Sequence, residues 1–164
     1  ILFNNAIKYK SDIVISKFKK FSDEDYEYNA KDIIPINYKI ENFNYKQSLY
    51  QLYTERNVEF VIAWNKIYKK DLFNNLKFEE GRICEDEFMA HKILYKSKIT
   101  TYVHIDLYYY RQRINSIMTS KYSIKNLDAV YALQDRVEFF YKINNKDLLN
   151  ISYRYYIECL SVIT

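Results

Sequence analysis

The alternation of apolar and polar positions divides the chain into short segments. Residues 1–9 set Ile1, Ala6 and Ile7 around polar Asn4 and Asn5, as at the end of a helix. Ile13, Val14 and Ile15 follow as a continuous apolar run, which predicts a strand covered on both faces. Residues 19–44, KKFSDEDYEYNAKDIIPINYKIENFN, keep no lasting period and contain Pro35, so a long loop is expected there. A helix is expected over Lys46–Arg56, and VEFVIAWNKIY (58–68) reads as a buried strand or the entry to a buried helix. KKDLFNNL (69–76) predicts a short helix with Asp71 near its start. The next helix is expected within GRICEDEFMAHKILYKSK (81–98), then a strand over ITTYVHIDLYYY (99–110), then helices near 123–142 and 146–163. No internal repeat or low-complexity tract interrupts the order. The class is α/β. About three strands against the usual ~5–6 make a narrow sheet that wants neighbours. With a first residue, Ile1, in mid-pattern, this predicts a fragment that lacks an N-terminal half.

Composition narrows the chemistry. A chain of 164 residues fits one domain of the usual ~100–200. With 49% hydrophobic and 28% charged residues it can bury a core. No apolar run approaches the ~18 residues that span a bilayer, and ILFNNAIKYK lacks the order of a signal peptide. Cys84 and Cys159 are too few for a disulfide scaffold and too far apart for a metal-binding pair, which suggests a reducing compartment. The net charge of +4 permits attraction to anionic lipid or phosphate. It does not argue for nucleic acid, because 25 Lys and Arg are interspersed with 21 Asp and Glu. Gly81 is the only glycine, which rules out a glycine-rich phosphate loop within these residues.

Candidate chemistry centres on Glu85, Asp86 and Glu87, three consecutive carboxylates where the chain turns apolar. At roughly 100° per residue, Met89, Ala90, Ile93, Leu94 and Ser97 share one arc with Asp86 near its middle. Two readings stand. Acids in a first turn are stabilised by the helix dipole, by about 0.3–1 kcal/mol. Alternatively, an Asp partly removed from water between two other carboxylates has its pKa raised toward working pH, which suits a general base. In the strand over 99–110, Val103, Ile105, Leu107 and Tyr109 alternate with Tyr102, His104, Asp106 and Tyr108. His91 falls opposite the apolar arc, where an i,i+4 pair with Glu87 is expected, and His104 is expected to pair with Asp106 at the surface. Cys84 beside Glu85 should have a raised thiol pKa, which argues against a nucleophile. Asp23 and Asp25 read as a solvated loop, Ser116 as a turn cap, and Tyr108–Tyr110 as either a sugar platform or ordinary strand composition.

Taken in order, AWNKIYKKDLF (63–73), FEEGRICEDEFMAHKILYKSK (78–98) and LYYYRQRINSIM (107–118) resemble the second half of bacterial family 2 glycosyltransferases. These are GT-A-fold enzymes that build capsular, exopolysaccharide or lipopolysaccharide sugars. LFNNAIKYKSDIVIS (2–16) resembles the segment just after the DxD strand of that family. The resemblance covers essentially the whole chain and implies a partial GT-A fold, with a small mixed sheet, flanking helices and a C-terminal helical pair. Residues 1–120 would be the acceptor and catalytic-base half, and 121–164 a helical extension. The nucleotide-binding half and the DxD motif would lie upstream, so a divalent metal (Mg or Mn) is expected in the parent enzyme with its ligands mostly outside this chain. The isolated fragment should be inactive.

By the same resemblance Asp86 is the candidate base, with Glu85 as its neighbour. It would take the proton of an acceptor hydroxyl that attacks the anomeric carbon of a nucleotide sugar and inverts it. Trp64 suits stacking on a sugar, Asn65 and Lys66 suit bonds to hydroxyls or phosphate, and the forks of Arg111 and Arg113 suit a diphosphate. A solvated strand end is the other reading of the two arginines. The partners implied are a nucleotide-sugar donor and a glycan or lipid-linked acceptor, in the cytoplasm or at the inner face of the plasma membrane, with a homodimer compatible. Two rivals remain: a Tyr-rich module that binds a protein or single-stranded nucleic acid without catalysis, and a glycosidase, which needs a second carboxylate roughly 5–9.5 Å from Asp86.

Overall fold

The computed structural model describes residues 1–22, 37–112 and 127–163. Asp23, Asp25, Pro35, Arg113 and Ser116, and the expected boundary near residue 121, lie outside these residues. The described chain is a mixed α/β structure: a four-stranded sheet with flanking helices, consistent with a partial GT-A type fold. Helix α1 (Leu2–Tyr9) leads into β1 (Ile13–Phe21). Strand β2 (Ile40–Asn44) is followed by α2 (Tyr45–Gln51), α3 (Asn57–Val61), β3 (Lys66–Tyr68) and a 3-10 turn (Lys70–Phe73). Helix α4 (Glu85–Lys96), β4 (Ile99–Arg111), α5 (Leu127–Lys142) and α6 (Lys146–Ile163) complete it.

The strands lie in the order β2-β4-β1-β3, with β1 and β4 parallel at the centre and both edges antiparallel. Ile13 and Ile15 face one core with Leu49, Phe60, Ile93 and Leu94 from the helices, while Val14 faces a second with Val103 and Ile105. Leu2 and Ala6 of α1 pack on that second face. A parallel pair covered on both sides is the environment that selects a continuous apolar run.

Three segments depart from the sequence reading. The expected long loop is shorter, because β1 runs on to Phe21 and Ile40–Asn44 pairs with β4. That edge strand carries little apolar signal; its ladder to β4 makes it a strand. The helix expected to Arg56 stops at Gln51. Asn44 opens it with a capping box. Thr54 Oγ1 then donates to the Gln51 carbonyl (3.1 Å) and accepts from the Arg56 N–H (3.2 Å), which draws the chain out of the helix. VEFVIAWNKIY is one element in neither sense, dividing into α3 and β3.

Candidate functional site

The approach to α4 is pinned from α5. Asp128 accepts from the Ile83 N–H (3.0 Å) and from Arg82 Nη1 (2.7 Å). Cys84 then turns the chain with φ 60°, ψ 33°, a left-handed conformation that costs a non-glycine residue energy. Glu85, Asp86 and Glu87 become the first three helical residues, and their fates diverge. Glu85 is exposed. Glu87 pairs with Arg136 of α5, which is 2% exposed and lies over the Tyr53 ring. Asp86 is half-buried, and its Oδ1 accepts the Glu87 N–H at 2.9 Å. Burial, then the charge of Glu85 and that of Glu87, push its carboxyl above the ordinary range, against the Glu87 N–H and the charge of Lys66.

Lys66 stands on β3 opposite Ile15. Its Nζ donates to the Phe60 carbonyl (3.1 Å) and to that of Ile62, at the C-terminal end of α3. Burial lowers this amine to about 7, opposed by the charges of Asp86 and Glu59. Glu59 is itself raised by burial, against the charges of Lys17, Arg56 and Lys66. Tyr68, two residues along β3, has its phenol raised by burial and by the charge of Asp86. Asp86 thus shares its field with the Lys66 amine and the Tyr68 phenol, and Lys66 also feels Glu59.

Trp64 packs at the far ends of β1 and β4. Its ring lies 4.3 Å from Tyr108, 5.0 Å from Tyr110 and 4.9 Å from Phe18. Tyr108, 39% exposed, is the open member of that group. Asn65 is buried, with Nδ2 donating to the carbonyls of Ser16 (2.7 Å) and Glu59 (3.1 Å). Its donors are therefore spent within the fold. Arg111 ends β4, exposed, next to Tyr110.

The histidines differ from expectation. His91 is 0% exposed, not opposite the core; α5 covers that side of α4 with Phe139 and Phe140. Its Nε2 lies 3.2 Å from Asp135 without hydrogen-bonding geometry, and Glu87 pairs with Arg136 instead. His104 bonds Glu41 at 2.6 Å, not Asp106, because β2 lies beside β4. Burial opposes ionisation of Glu41, but His104, Lys39 and Arg56 outweigh it and bring it to about 2. The Cys84 thiol is pushed up to about 11, by burial first and then by the neighbouring acids.

Sequence reasoning missed Glu59 and Tyr68. The signal for Glu59 was a lone carboxylate inside the apolar run VEFVIAW. Among the described residues no group of three His, Cys, Asp or Glu side chains could hold a metal ion, and no helix is long and apolar enough to cross a membrane.

No family model matches the chain. It is 25% identical over 134 residues to Glycosyltransferase GlyA of Streptococcus pneumoniae, across 79% of this chain and 19% of that protein. It is 32% identical over 65 residues to Glycosyltransferase GlyG of the same organism, across 40% of this chain and 22% of that protein. The chain spans about a fifth of the length of these curated relatives. Both likenesses support a relationship to glycosyltransferases.

Proposed function

We propose that the chain supplies the acceptor side and the catalytic base of an inverting, family 2 type glycosyltransferase in surface polysaccharide synthesis. The observation that carries this reading is Asp86: a half-buried carboxyl at the head of α4, raised by burial and by the charges of Glu85 and Glu87. The likeness to a glycosyltransferase over most of the chain supports a role in glycosyl transfer.

Asp86 removes the proton from a hydroxyl of a glycan or lipid-linked acceptor. The oxygen attacks the anomeric carbon of a nucleotide sugar as the bond to the diphosphate breaks, and one displacement inverts the configuration. A raised pKa makes Asp86 a stronger base provided it is still ionised at working pH. Glu85 acts through its charge, since its side chain is exposed. Tyr108, backed by Trp64, is the ring available to a sugar face, and Asn65 fixes the β1–β3 junction beneath. Arg111 serves the donor diphosphate, together with Arg113 outside the described residues. The Mg or Mn ion that the resemblance implies would be held mostly by residues of the parent enzyme outside this chain, where it would stabilise the leaving diphosphate.

The test is Asp86→Asn in the full-length protein. Turnover should fall by about 10²–10⁴, the contribution of a positioned base, with nucleotide-sugar affinity unchanged. Retained turnover removes Asp86 from the role.

A further inference from the structure

We propose that Asp128 is a positioning residue for the base: from α5 it fixes the turn at Cys84 from which α4 starts, and through that turn the aim of the Asp86 carboxylate. The inference rests on the reading of Asp86 as the base and deepens it.

The head of α4 lacks the usual local support. An N-cap residue ordinarily has extended backbone and a side-chain oxygen that accepts from the first turn. Cys84 has neither: its backbone is left-handed and its side chain caps nothing. Yet the turn it opens is what orients the acid. The Cys84 carbonyl accepts from the N–H groups of Glu87 (3.0 Å) and Phe88 (3.4 Å). The same Glu87 N–H donates to Asp86 Oδ1 at 2.9 Å. Asp86 is therefore aimed by a donor that stays in place only while Cys84 keeps its strained conformation. The support comes from α5. Asp128, 7% exposed, accepts from the Ile83 N–H through one oxygen and from Arg82 Nη1 through the other. Both bonds are charge-assisted, the stronger kind. Arg82, so held, lies over the Phe88 ring of α4 and the Tyr131 ring of α5. The two residues before Cys84 are thus tied to α5, one by its backbone and one by its side chain, and Arg82 reaches α4 two residues beyond Asp86.

The experiment follows amide hydrogen exchange and the Asp86 carboxyl carbon by NMR in this chain. Asp128→Ala should cost the Glu87 and Phe88 amides about tenfold or more in protection, the loss of a hydrogen bond to a charged group. The Ile93 and Leu94 amides, further along α4, should lose less, and the Asp86 midpoint should fall toward that of an ordinary carboxyl. Adding Cys84→Gly should recover both, because glycine takes a left-handed turn without the steric cost. That change returns no charge, so the recovery could not be electrostatic. Head amides unmoved in folded Asp128→Ala overturn the proposal. Protection lost evenly along α4 and not recovered by Cys84→Gly means a merely structural Asp128 and overturns it too. If Asp128→Ala does not fold, Cys84→Gly alone decides: it should raise protection of the Glu87 and Phe88 amides by about fivefold, and no rise overturns the proposal. In the full-length enzyme, kcat should fall with Asp128→Ala and recover with Cys84→Gly. Turnover by Asp86→Asn would instead overturn the assignment of the base, an outcome on which the exchange measurements do not depend.

Discussion

Acid should unfold this domain through His91 before it unfolds it through most of its carboxylates. The imidazole is fully buried between α4 and α5, with neither nitrogen in a hydrogen bond, and burial lowers it from 6.5 to about 4. Asp135 favours its charged form but does not overcome burial, and Lys92, 2.7 Å from Asp135, already serves that carboxylate. A folded-state pKa below the unfolded one means that the unfolded chain takes up the proton first. Stability is therefore complete above about pH 6.5, falls as pH drops toward 4, and changes no further from this group below that. The drop from 6.5 to about 4 corresponds to about 3 kcal/mol, most of which is lost between pH 7 and pH 4.5. Urea unfolding of the chain at pH 7, 6, 5.5 and 4.5 gives the slope, and His91→Leu removes the group while keeping an apolar side chain of similar reach. The variant should lose most of the decline, leaving the part due to Glu41 and Asp135, which begins lower. Parallel declines in the two proteins would refute the burial argument.

The three acids of α4 should separate by stability. Glu87→Gln leaves Arg136 buried without a counter-charge and should cost about 3–5 kcal/mol in denaturant unfolding. Glu85→Gln should stay within about 0.5 kcal/mol, as for exposed positions generally, while lowering the Asp86 midpoint. Asn65→Ala should cost about 2 kcal/mol, for two hydrogen bonds to backbone at about 1 each. Asn65→Asp should cost at least as much, because a carboxylate would face the Ser16 and Glu59 carbonyls; a neutral Asn65→Asp would count against this role.

Local pattern was enough for α1, α4, β4 and the two C-terminal helices, and for the burial of Ile13–Ile15 on both faces. In each of these the residues that decide the element lie within a few turns of one another, and apolar periodicity records their shared face. The Asp86 position was legible for the same reason: its angle to Met89, Ala90 and Ile93 is set by the helix alone. Glu41–His104, Glu87–Arg136 and the Lys66 amine against α3 were not. The first two join residues 63 and 49 apart in sequence. Lys66 and Ile62 are only four apart but meet because the chain bends between α3 and β3.

His91 shows the limit most clearly. A wheel drawn from one apolar arc marks the opposite side as solvent, whereas α4 is covered twice, by the sheet and by α5. Whether a helix has a second cover depends on a segment more than thirty residues later, which no property of its own sequence encodes. The sequence by itself therefore determined which stretches form the central strands and long helices and which acid heads α4. Tertiary packing decided which charges are buried, which are paired, and which two neighbours of that acid share its field, because desolvation and pairing depend on what is brought alongside.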